Sequence, residues 1–320
     1  MPVNVEHGAF YSVQELSQIL HTSEEEVIAI LKNEDFSSCE IQGNLHLNKG
    51  NLEAFFDRYF AIKGISGDRQ YPIPKYLKSS PEPWTTTLVQ MYEKKVNFPA
   101  SISPEQGEFL KSFIGNVNPR TVVEIGCFTG ISTIWMAAGL EQIASPAVIQ
   151  SIDLFDEILP WMPTRHGCLL DPYRYANDRV SDARLSHRIQ FHKMNSVDAG
   201  HHLDRIVDRP IDFLFIDGDH TRQGCLTDWM LFYPHVSVGG YIVLHDIYPE
   251  HCGWEGPRYV LDECVRGNDQ FAMLEIKTNP CNFGMAIVQK IANTPATSRP
   301  ASIQQTPLVA KLLKKLSLQG

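Results

Sequence analysis

The chain has 320 residues, 43% hydrophobic and 20% charged, which is typical of a globular protein with room for an α/β domain and a smaller one. Its seven cysteines include no CxxC pair, and it shows neither a long apolar run nor a signal peptide, so we expect a cytoplasmic protein without a membrane partner. The net charge of −9 argues against a nucleic-acid partner.

Residues 1–62 are the first predicted domain, a small α+β module. Two short amphipathic helices are predicted after the capping residues Ser12 and Ser23. A hairpin that turns near Gly43 and a helix over residues 48–60 complete the module. With the segments YSVQELSQIL, SEEEV and HLNKGNLEAFF, this order resembles the excisionase-type winged helix-turn-helix, and the resemblance implies DNA binding.

The charge of this module contradicts DNA binding. Residues 1–60 carry ten acidic and three basic side chains, a net charge of −7, and the second helix begins with the glutamates Glu24–Glu26. Acids there repel phosphate at the positions where a DNA reader needs basic or amide side chains. We therefore expect this winged-helix-like module to form a homodimer or to cover the substrate.

Three further segments complete the predicted organisation. Residues 63–100, rich in Pro, Ser and Lys, predict a surface linker with a covering helix. Residues 101–291 form the main predicted domain, which begins with a helix capped by Ser103. Residues 292–320 predict a flexible tail that ends in a short basic amphipathic helix.

The main domain alternates strands and helices at the spacing of an α/β sheet. Its first five strands run into turn residues, at the sheet edge where ligands bind, and its last two form a hairpin. The long segment 157–171 predicts a lid or a specificity element. The predicted strands are Val122–Gly126, Val148–Asp153, Ile189–Met194, Asp212–Asp217, Tyr241–Asp246, Ala272–Lys277 and Met285–Gln289.

The segment TVVEIGCFTG, residues 121–130, predicts a buried strand, a tight turn and a helix N-terminus. Gly126 and Gly130 let the backbone approach a ligand closely, but their spacing lacks the GxGxxG fingerprint of dinucleotide binding. Glu124, just before the first glycine, suits a ligand with an ammonium group. By itself the segment fits either a cofactor turn or an ordinary glycine bend.

Four motifs together resemble a class I S-adenosylmethionine-dependent methyltransferase: EIGCFTGIS, SID, FIDGDH and GGYIVLHD. The pattern is most similar to the metal-assisted O-methyltransferases of the caffeoyl-CoA, catechol and macrocin types, over about residues 100–290. The resemblance implies a Rossmann-like seven-stranded sheet, S-adenosyl-L-methionine as cofactor, and a small hydroxylated metabolite as acceptor. That acceptor would be a phenol, a sugar or another product of secondary metabolism.

We expect the cofactor at the ends of the first three strands. Asp153 can accept hydrogen bonds from the ribose hydroxyls, or it can cap a helix. Ser132 and nearby backbone amides can hold the cofactor carboxylate at a helix N-terminus. The resemblance places the adenosine near Asn195 and Ser196. The predicted cofactor residues are Glu124, Gly126, Thr129, Gly130, Ser132, Asp153, Asn195, Ser196 and Asp217.

Asp217 and Asp246 end adjacent predicted strands, so their carboxylates should converge and repel unless a cation or proton lies between them. A hard divalent ion suits such a site, with Mg²⁺ preferred. By the resemblance, this metal clamps a substrate hydroxyl. The catechol type has Asn where Ile247 stands, and the macrocin type has Glu where His245 stands. His245 is thus a candidate ligand that favours Mn²⁺, Fe²⁺ or Zn²⁺, or else no metal binds.

The resemblance to the macrocin type implies that His220 is the general base. Asp217 and Asp246 are the other predicted catalytic residues. An imidazole suits removal of a hydroxyl proton near neutral pH, although His220 could instead cap the following helix. The loop after Asp246 should border the acceptor pocket, where lid packing is the alternative role. The candidate substrate contacts are Trp161, His251 and Trp254.

Three alternatives to an O-methyltransferase stay open. One is a metal-independent N-methyltransferase of a small molecule. Another is a DNA-binding regulator that keeps a methyltransferase-like sensor domain. The third is chemistry other than methyl transfer, as in the cephalosporin hydroxylase-like relatives of the fold.

Overall fold

The computed structural model describes residues 3–5, 8–20, 22–33, 36, 38–62, 70–160, 167–277 and 282–293. The chain forms two compact units. The first takes in residues 1–73, 89–101 and 156–172, and the second takes in the remainder. Trp161 and the tail from residue 294, for which the sequence predicts a substrate contact and an amphipathic helix, lie outside the described residues. The predicted domain boundaries stay predictions.

The first unit contains a four-stranded antiparallel sheet, in the order β1-β2-β4-β3, and short helices. The predicted capping box is present, because the Glu15 amide donates to Ser12 Oγ (3.2 Å) and the Ser12 amide donates to Glu15 Oε2 (2.8 Å). Leu16, Leu47 and Phe55 are fully buried in its core. The elements are β1 (Val3–Val5), β2 (Gly8–Ser12), α1 (Val13–Leu20), α2 (Glu24–Asn33), β3 (Ser38–Ile41), β4 (Asn44–Asn48) and α3 (Leu52–Ile62).

Sequence reasoning missed β1 and β2 in this unit. At three and five residues, these strands are too short to show a clear alternation of apolar and polar residues. The predicted hairpin exists as β3 and β4, which pair Ile41 with Asn44 across the turn. The winged-helix resemblance of the module stays a prediction.

The second unit is built on a seven-stranded sheet in the order β10-β11-β9-β8-β5-β6-β7. Strands β5 to β9 pair in parallel, and β11 pairs antiparallel with both β9 and β10, so the predicted fold is confirmed. The strands are β5 (Val122–Ile125), β6 (Ile149–Asp153), β7 (Ile189–Lys193), β8 (Ile211–Ile216), β9 (Val236–His245), β10 (Phe271–Ile276) and β11 (Met285–Lys290).

Strand β9 begins five residues before the predicted start at Tyr241. The difference arises at Gly239 and Gly240, which read in sequence as a turn but lie inside the strand. Gly239 has a φ of +90°, and the pairing of β9 with β8 shifts register near Ile211. A local irregularity thus lets the strand continue through its glycines.

Helix α6 packs closely against the central helix α7. Gly107 permits this, because a Cβ there would lie 2.1 Å from Nε1 of the buried Trp135. Helix α7 is buried from Ile131 to Leu140, so it packs against other parts of the protein on every face. The remaining helices are α4 (Lys75–Ser79), α5 (Pro83–Tyr92), α6 (Pro104–Val117), α7 (Ile131–Gln142), α8 (Pro172–Asp182), α9 (Ser196–His201), α10 (Arg222–Phe232), α11 (Pro249–Cys252) and α12 (Gly256–Val260).

None of the helices in the described part of the chain has both the length and the apolar character that crossing a bilayer requires.

Candidate active site

The glycine turn after β5 has the predicted strand–turn–helix form. Gly126 has a φ of +87°, and a Cβ there would lie 2.2 Å from the carbonyl oxygen of Asp217. Gly130, with a φ of +95°, is the N-cap of α7. Only glycine fits both positions without strain, and the close approach brings the β5 turn against the loop after β8.

Glu124 lies beneath this turn and is fully buried. Its carboxylate accepts hydrogen bonds from the hydroxyls of three neighbours: Ser132 (2.6 Å), Thr133 (2.6 Å) and Ser151 (2.5 Å). Burial raises the pKa of Glu124 to about 7, even though the three hydroxyls act to lower it. Glu124 therefore links the start of α7 to β6 beside the glycine turn. Its predicted contact with a ligand ammonium stays a prediction.

Asp153, at the end of β6, holds two loops through their backbone. Its Oδ2 accepts from the amides of Cys127 (2.7 Å) and Phe128 (2.8 Å), and its Oδ1 accepts from the amide of Phe155 (2.6 Å). Phe128 and Phe155 both have positive φ angles, a conformation that costs non-glycine residues about 1–3 kcal/mol. Strain of this kind clusters at functional sites. The predicted ribose contact of Asp153 stays a prediction.

The two predicted adenosine residues after β7 have partners within the chain. Asn195 caps α9, since its side-chain oxygen accepts from the Asp198 amide (2.7 Å) and its NH₂ donates to Asp198 Oδ2 (2.6 Å). Ser196 hydrogen-bonds to the buried Asp228, whose pKa is raised by burial to about 7. Both residues therefore shape the end of β7, whether or not a ligand binds beside them.

Four side chains meet where β8 and β9 end: Asp217, His220, His245 and Asp246. One ligand atom from each lies within 4.8 Å of all the others. Asp217 follows β8, and Asp246 follows its parallel neighbour β9, so the topology brings the two carboxylates together as the sequence predicts. We call this group the Asp–His cluster.

The histidines lie between the carboxylates. His245 Nδ1 is 3.0 Å from Asp217 Oδ1 and 2.9 Å from Asp246 Oδ1. His220 Nε2 is 3.2 Å from Asp217 Oδ1 and 3.4 Å from Asp246 Oδ2. Each imidazole can therefore interact with both acids.

These contacts shift the ionisation of the group. Burial opposes the charged form of both imidazoles, but the carboxylates of Asp217 and Asp246 outweigh it and raise the pKa of His245 well above its ordinary value. The pKa of His220 is raised in the same way. Burial likewise opposes ionisation of Asp217, yet the two histidines hold its pKa below the usual range. Protons on the imidazoles thus supply the positive charge that two adjacent acids need.

Asp246 has one buried oxygen that these protons do not satisfy. Oδ1 has no hydrogen-bond partner among the residues that the structure describes. It is close to His245 Nδ1, but the geometry is poor for a hydrogen bond, and the better-aligned bond from that nitrogen goes to Asp217. The backbone of Asp246 is also in the left-handed region, with a φ of +57°. An orphaned carboxylate oxygen beside further oxygen and nitrogen donors fits a divalent metal ion.

The predicted substrate residues His251 and Trp254 lie on the segment that follows Asp246. His251 Nε2 pairs with Lys277 Nζ, and Lys277 lies 4.7 Å from the ring centre of Tyr248. The Trp254 amide donates to Cys252 Sγ at 3.4 Å. The substrate role of His251 and Trp254 stays a prediction.

Gln106 is the site residue that sequence reasoning missed. Its Oε1 lies 3.2 Å from His245 Nε2, and the two residues are 139 positions apart in the chain. Gln106 belongs to the SPEQ segment that begins α6, where the sequence alone predicts only a capping box.

Two family models match this part of the chain. Residues 123–247 match a model described as a methyltransferase domain, and residues 78–155 match one described as O-methyltransferase. The first spans β5 to β9 and includes all four residues of the Asp–His cluster. The chain therefore contains a methyltransferase domain.

Two curated proteins match part of the chain. The chain is 26% identical over 149 residues to a catechol O-methyltransferase of Niastella koreensis. This match covers 46% of this chain and 57% of that protein. Over 36 residues it is 56% identical to an uncharacterized protein of Acanthamoeba polyphaga mimivirus, which covers 11% of this chain and 16% of that protein. The chain thus spans little more than half, or less, of these relatives.

Solved structures share the fold. An O-methyltransferase from Streptomyces achromogenes involved in tomaymycin synthesis, in complex with S-adenosylmethionine, is similar with a TM-score of 0.51 and 19% identity. The match covers 71% of this chain and 99% of that one. A cofactor-bound protein from MTB is similar with the same TM-score and identity, covering 70% and 99%. At this identity the likeness shows the fold alone, a Rossmann-like methyltransferase sheet.

Proposed function

We propose that the protein is an S-adenosylmethionine-dependent methyltransferase that methylates a hydroxyl of a small metabolite with the help of a divalent metal. The observation that carries the proposal is the Asp–His cluster, which lies at the ligand end of a methyltransferase sheet. The O-methyltransferase match and the catechol O-methyltransferase relative support oxygen as the acceptor atom.

S-adenosylmethionine would occupy the glycine turn. Gly126 and Gly130 leave the backbone open to a ligand, and the start of α7 offers unpaired amides and a favourable dipole to the cofactor carboxylate. The ribose would lie beside Asp153, and the adenosine near Asn195 and Ser196. The cofactor named in the similar Streptomyces achromogenes structure supports this choice.

Asp217, Asp246 and His245 would hold the metal. A bound divalent ion lowers the pKa of an acceptor hydroxyl and fixes its position. Asp246 would supply the buried Oδ1 that lacks a donor, and Asp217 would supply its Oδ1, which lies 3.0 Å from His245 Nδ1. The carboxylates alone suit Mg²⁺.

His220 would act as the general base. Its Nε2 faces both carboxylates, so it lies beside the place where an acceptor hydroxyl would lose its proton. Asp217 Oδ1 lies 3.2 Å from that nitrogen, so it would stabilise the imidazolium that forms when His220 takes the proton. The hydroxyl proton moves to His220, the oxygen bonds to the methyl carbon, and the carbon–sulfur bond of the sulfonium breaks. In-line positioning does most of the remaining work.

For the first unit we propose a role in forming a homodimer or in covering the substrate. Its net charge of −7 over residues 1–60 supports a partner other than nucleic acid. The acceptor that we propose is a small hydroxylated natural product, a phenol or a sugar.

Methyl transfer from labelled S-adenosylmethionine to paired acceptors tests this function. Catechol and 1,2-diaminobenzene have the same ring and differ in the acceptor atom, and sugar alcohols extend the set. We expect calorimetric binding of S-adenosylhomocysteine and label only on hydroxylated acceptors. Label on the diamine that persists in Asp217→Asn would establish the nitrogen alternative, and no binding of S-adenosylhomocysteine would remove the cofactor.

A further inference from the structure

A buried hydrogen bond connects the Asp–His cluster to the first turn of α6. Gln106 is 1% exposed and His245 is 2% exposed. Gln106 Oε1 lies 2.9 Å from the backbone nitrogen of Ser103 and 3.2 Å from His245 Nε2. One amide oxygen thus serves both a helix cap and a histidine of the candidate active site.

The orientation of the Gln106 amide follows from its partners. The backbone N–H of Ser103 can only donate, so the group that faces it must be the oxygen. A flipped amide would place its NH₂ against that N–H, donor against donor. Because the oxygen also faces His245 Nε2, that ring nitrogen must carry a hydrogen.

This hydrogen decides what the other side of the ring offers. In a neutral imidazole only one nitrogen carries a proton, so a protonated Nε2 leaves a lone pair on Nδ1. Nδ1 is the atom that faces the Asp217 and Asp246 carboxylates, at 3.0 and 2.9 Å. When a cation displaces the Nδ1 proton that now bonds to Asp217, the ring becomes neutral and presents a nitrogen ligand to that cation, because Gln106 keeps the other hydrogen on Nε2.

The capping box does not by itself account for Gln106. The Nε2 of its amide is buried without a hydrogen-bond partner among the described residues. An unsatisfied buried donor costs about 1–3 kcal/mol, whereas a Glu at this capping position would exchange that donor for a buried negative charge. The neutral amide instead gives His245 an acceptor that adds no negative charge to a site that already contains two carboxylates.

We infer that Gln106 is a positioning residue that makes His245 Nδ1 a metal ligand, and that this nitrogen makes the site select a first-row transition-metal ion over Mg²⁺. The inference rests on the proposed metal site and revises the metal expected from the carboxylates alone. Imidazole nitrogen suits transition metals, whereas Mg²⁺ prefers oxygen ligands and retains water. Partners that fix the tautomer of a ligating histidine are a general feature of metal sites.

The test compares Co²⁺ with Mg²⁺ on the metal-stripped full chain. Competition calorimetry gives the affinity ratio, and the visible absorption of bound Co²⁺ reports nitrogen ligation independently of enzyme activity. We expect the wild type to bind Co²⁺ at least ~100-fold more tightly than Mg²⁺. In Gln106→Met the ratio should fall about 10-fold or more, with a change in the Co²⁺ spectrum, since removal of such a partner costs 10–100-fold in metal affinity.

Two variants separate this role from helix capping. Ser103→Ala removes the hydroxyl half of the capping box and leaves Gln106 Oε1 in place, so it should keep the wild-type ratio and spectrum. Gln106→Glu keeps an acceptor for both Ser103 and His245, so it should keep the Co²⁺ spectrum of nitrogen ligation, whereas its added negative charge should change the affinities for both ions. It serves as the folded comparison if Gln106→Met does not fold. In that case His245→Gln replaces Gln106→Met, and we expect it to lower the Co²⁺ to Mg²⁺ affinity ratio and to change the Co²⁺ spectrum.

Three results would overturn the inference. In the first, Gln106→Met folds and keeps the wild-type affinity ratio and Co²⁺ spectrum, or His245→Gln does so in its place. That result would leave Gln106 as a helix cap only. Another is a wild type that binds Mg²⁺ as tightly as Co²⁺. The third is a wild type that binds neither ion, which would remove the proposed metal site itself and so differs from the first two results.

Discussion

Two groups of buried acids lie at neighbouring strand ends and have opposite surroundings. Glu124, at β5, is enclosed by three hydroxyl donors from its own chain. Asp217 and Asp246, at β8 and β9, face two histidines whose pKa values they raise. Every observed partner of Glu124 is a neutral hydroxyl, whereas the Asp–His cluster is held together by charge.

The difference separates an acid whose observed partners all belong to the fold from the acids to which we assign the proposed chemistry. Three hydroxyls meet most of the acceptor capacity of the Glu124 carboxylate, so Glu124 stabilises the glycine turn with partners from its own chain, and its contact with a ligand ammonium stays a prediction. Asp246 keeps a buried oxygen without a hydrogen-bond partner among the described residues, and the protons on the histidines occupy the place of a cation. A buried charge that needs a partner from solution is typical of a functional site.

The largest effect should come from Asp217→Asn, which removes the carboxylate that contacts both histidines. We expect methyl transfer to fall at least ~100-fold, because loss of an outer-shell group alone costs 10–100-fold in a metal enzyme. Steady-state kinetics and metal titration measure the loss. Asp208→Asn, an exposed acid on the loop before β8, is the control and should behave as the wild type. Equal losses in both variants would contradict the assignment.

His220→Gln should lower kcat by about 10²–10⁴-fold, the usual contribution of a general base. Metal and cofactor binding should remain, so the effect falls on kcat rather than on affinity. The carboxylates raise the pKa of His220, so wild-type activity should increase as pH rises through that raised value, and the variant should lose this limb. A pH–rate profile with the limb intact would assign the base to another group.

Glu124→Gln should change how stability depends on pH. The pKa of Glu124 is raised by burial to about 7 in the fold, against an ordinary value of 4.5. Its protonated form therefore stabilises the fold below pH 4.5, and that contribution is lost as pH rises to about 7. The wild type should lose about 3 kcal/mol relative to the variant across this window. Denaturant unfolding at several pH values measures the difference.

Glu141→Gln is the matched control for Glu124→Gln. The pKa of the exposed Glu141 is lowered by hydrogen bonds from Arg188 and His187, so its substitution should change the slope in the opposite direction and by less. If the free energy of unfolding of Glu124→Gln and of the wild type varied with pH in the same way, ionisation of Glu124 would not destabilise the fold, which would contradict the prediction.

The smallest effect should come from Asp153→Asn, which should weaken S-adenosylhomocysteine binding by about 1–3 kcal/mol. The ribose would lose an acceptor. The Asn NH₂ would also face backbone N–H groups that now donate hydrogen bonds to Asp153 Oδ2 or Oδ1. Calorimetry gives the affinity, and Asp156→Asn, an exposed acid three residues later, is the control. Unchanged affinity in Asp153→Asn would remove it from the cofactor site.

The sequence predicts the sheet well because each strand is a local pattern of apolar residues followed by a turn. It also predicts that Asp217 and Asp246 converge, since adjacent parallel strands end at the same edge. It does not predict the bond from His245 to Gln106, because partners 139 residues apart meet only through tertiary packing. For the same reason the sequence does not predict the hydrogen bond from Ser151 to Glu124, since the two residues lie on different strands.

The central claim is that the Asp–His cluster binds a divalent metal that activates an acceptor hydroxyl. Methyl transfer measured before and after metal removal by EDTA, with binding of S-adenosylhomocysteine measured in parallel, tests it most directly. We predict that cofactor binding persists, that turnover is lost, and that adding back a divalent ion restores it. Full turnover in excess EDTA, on a preparation that elemental analysis shows to be metal-free, would contradict the claim.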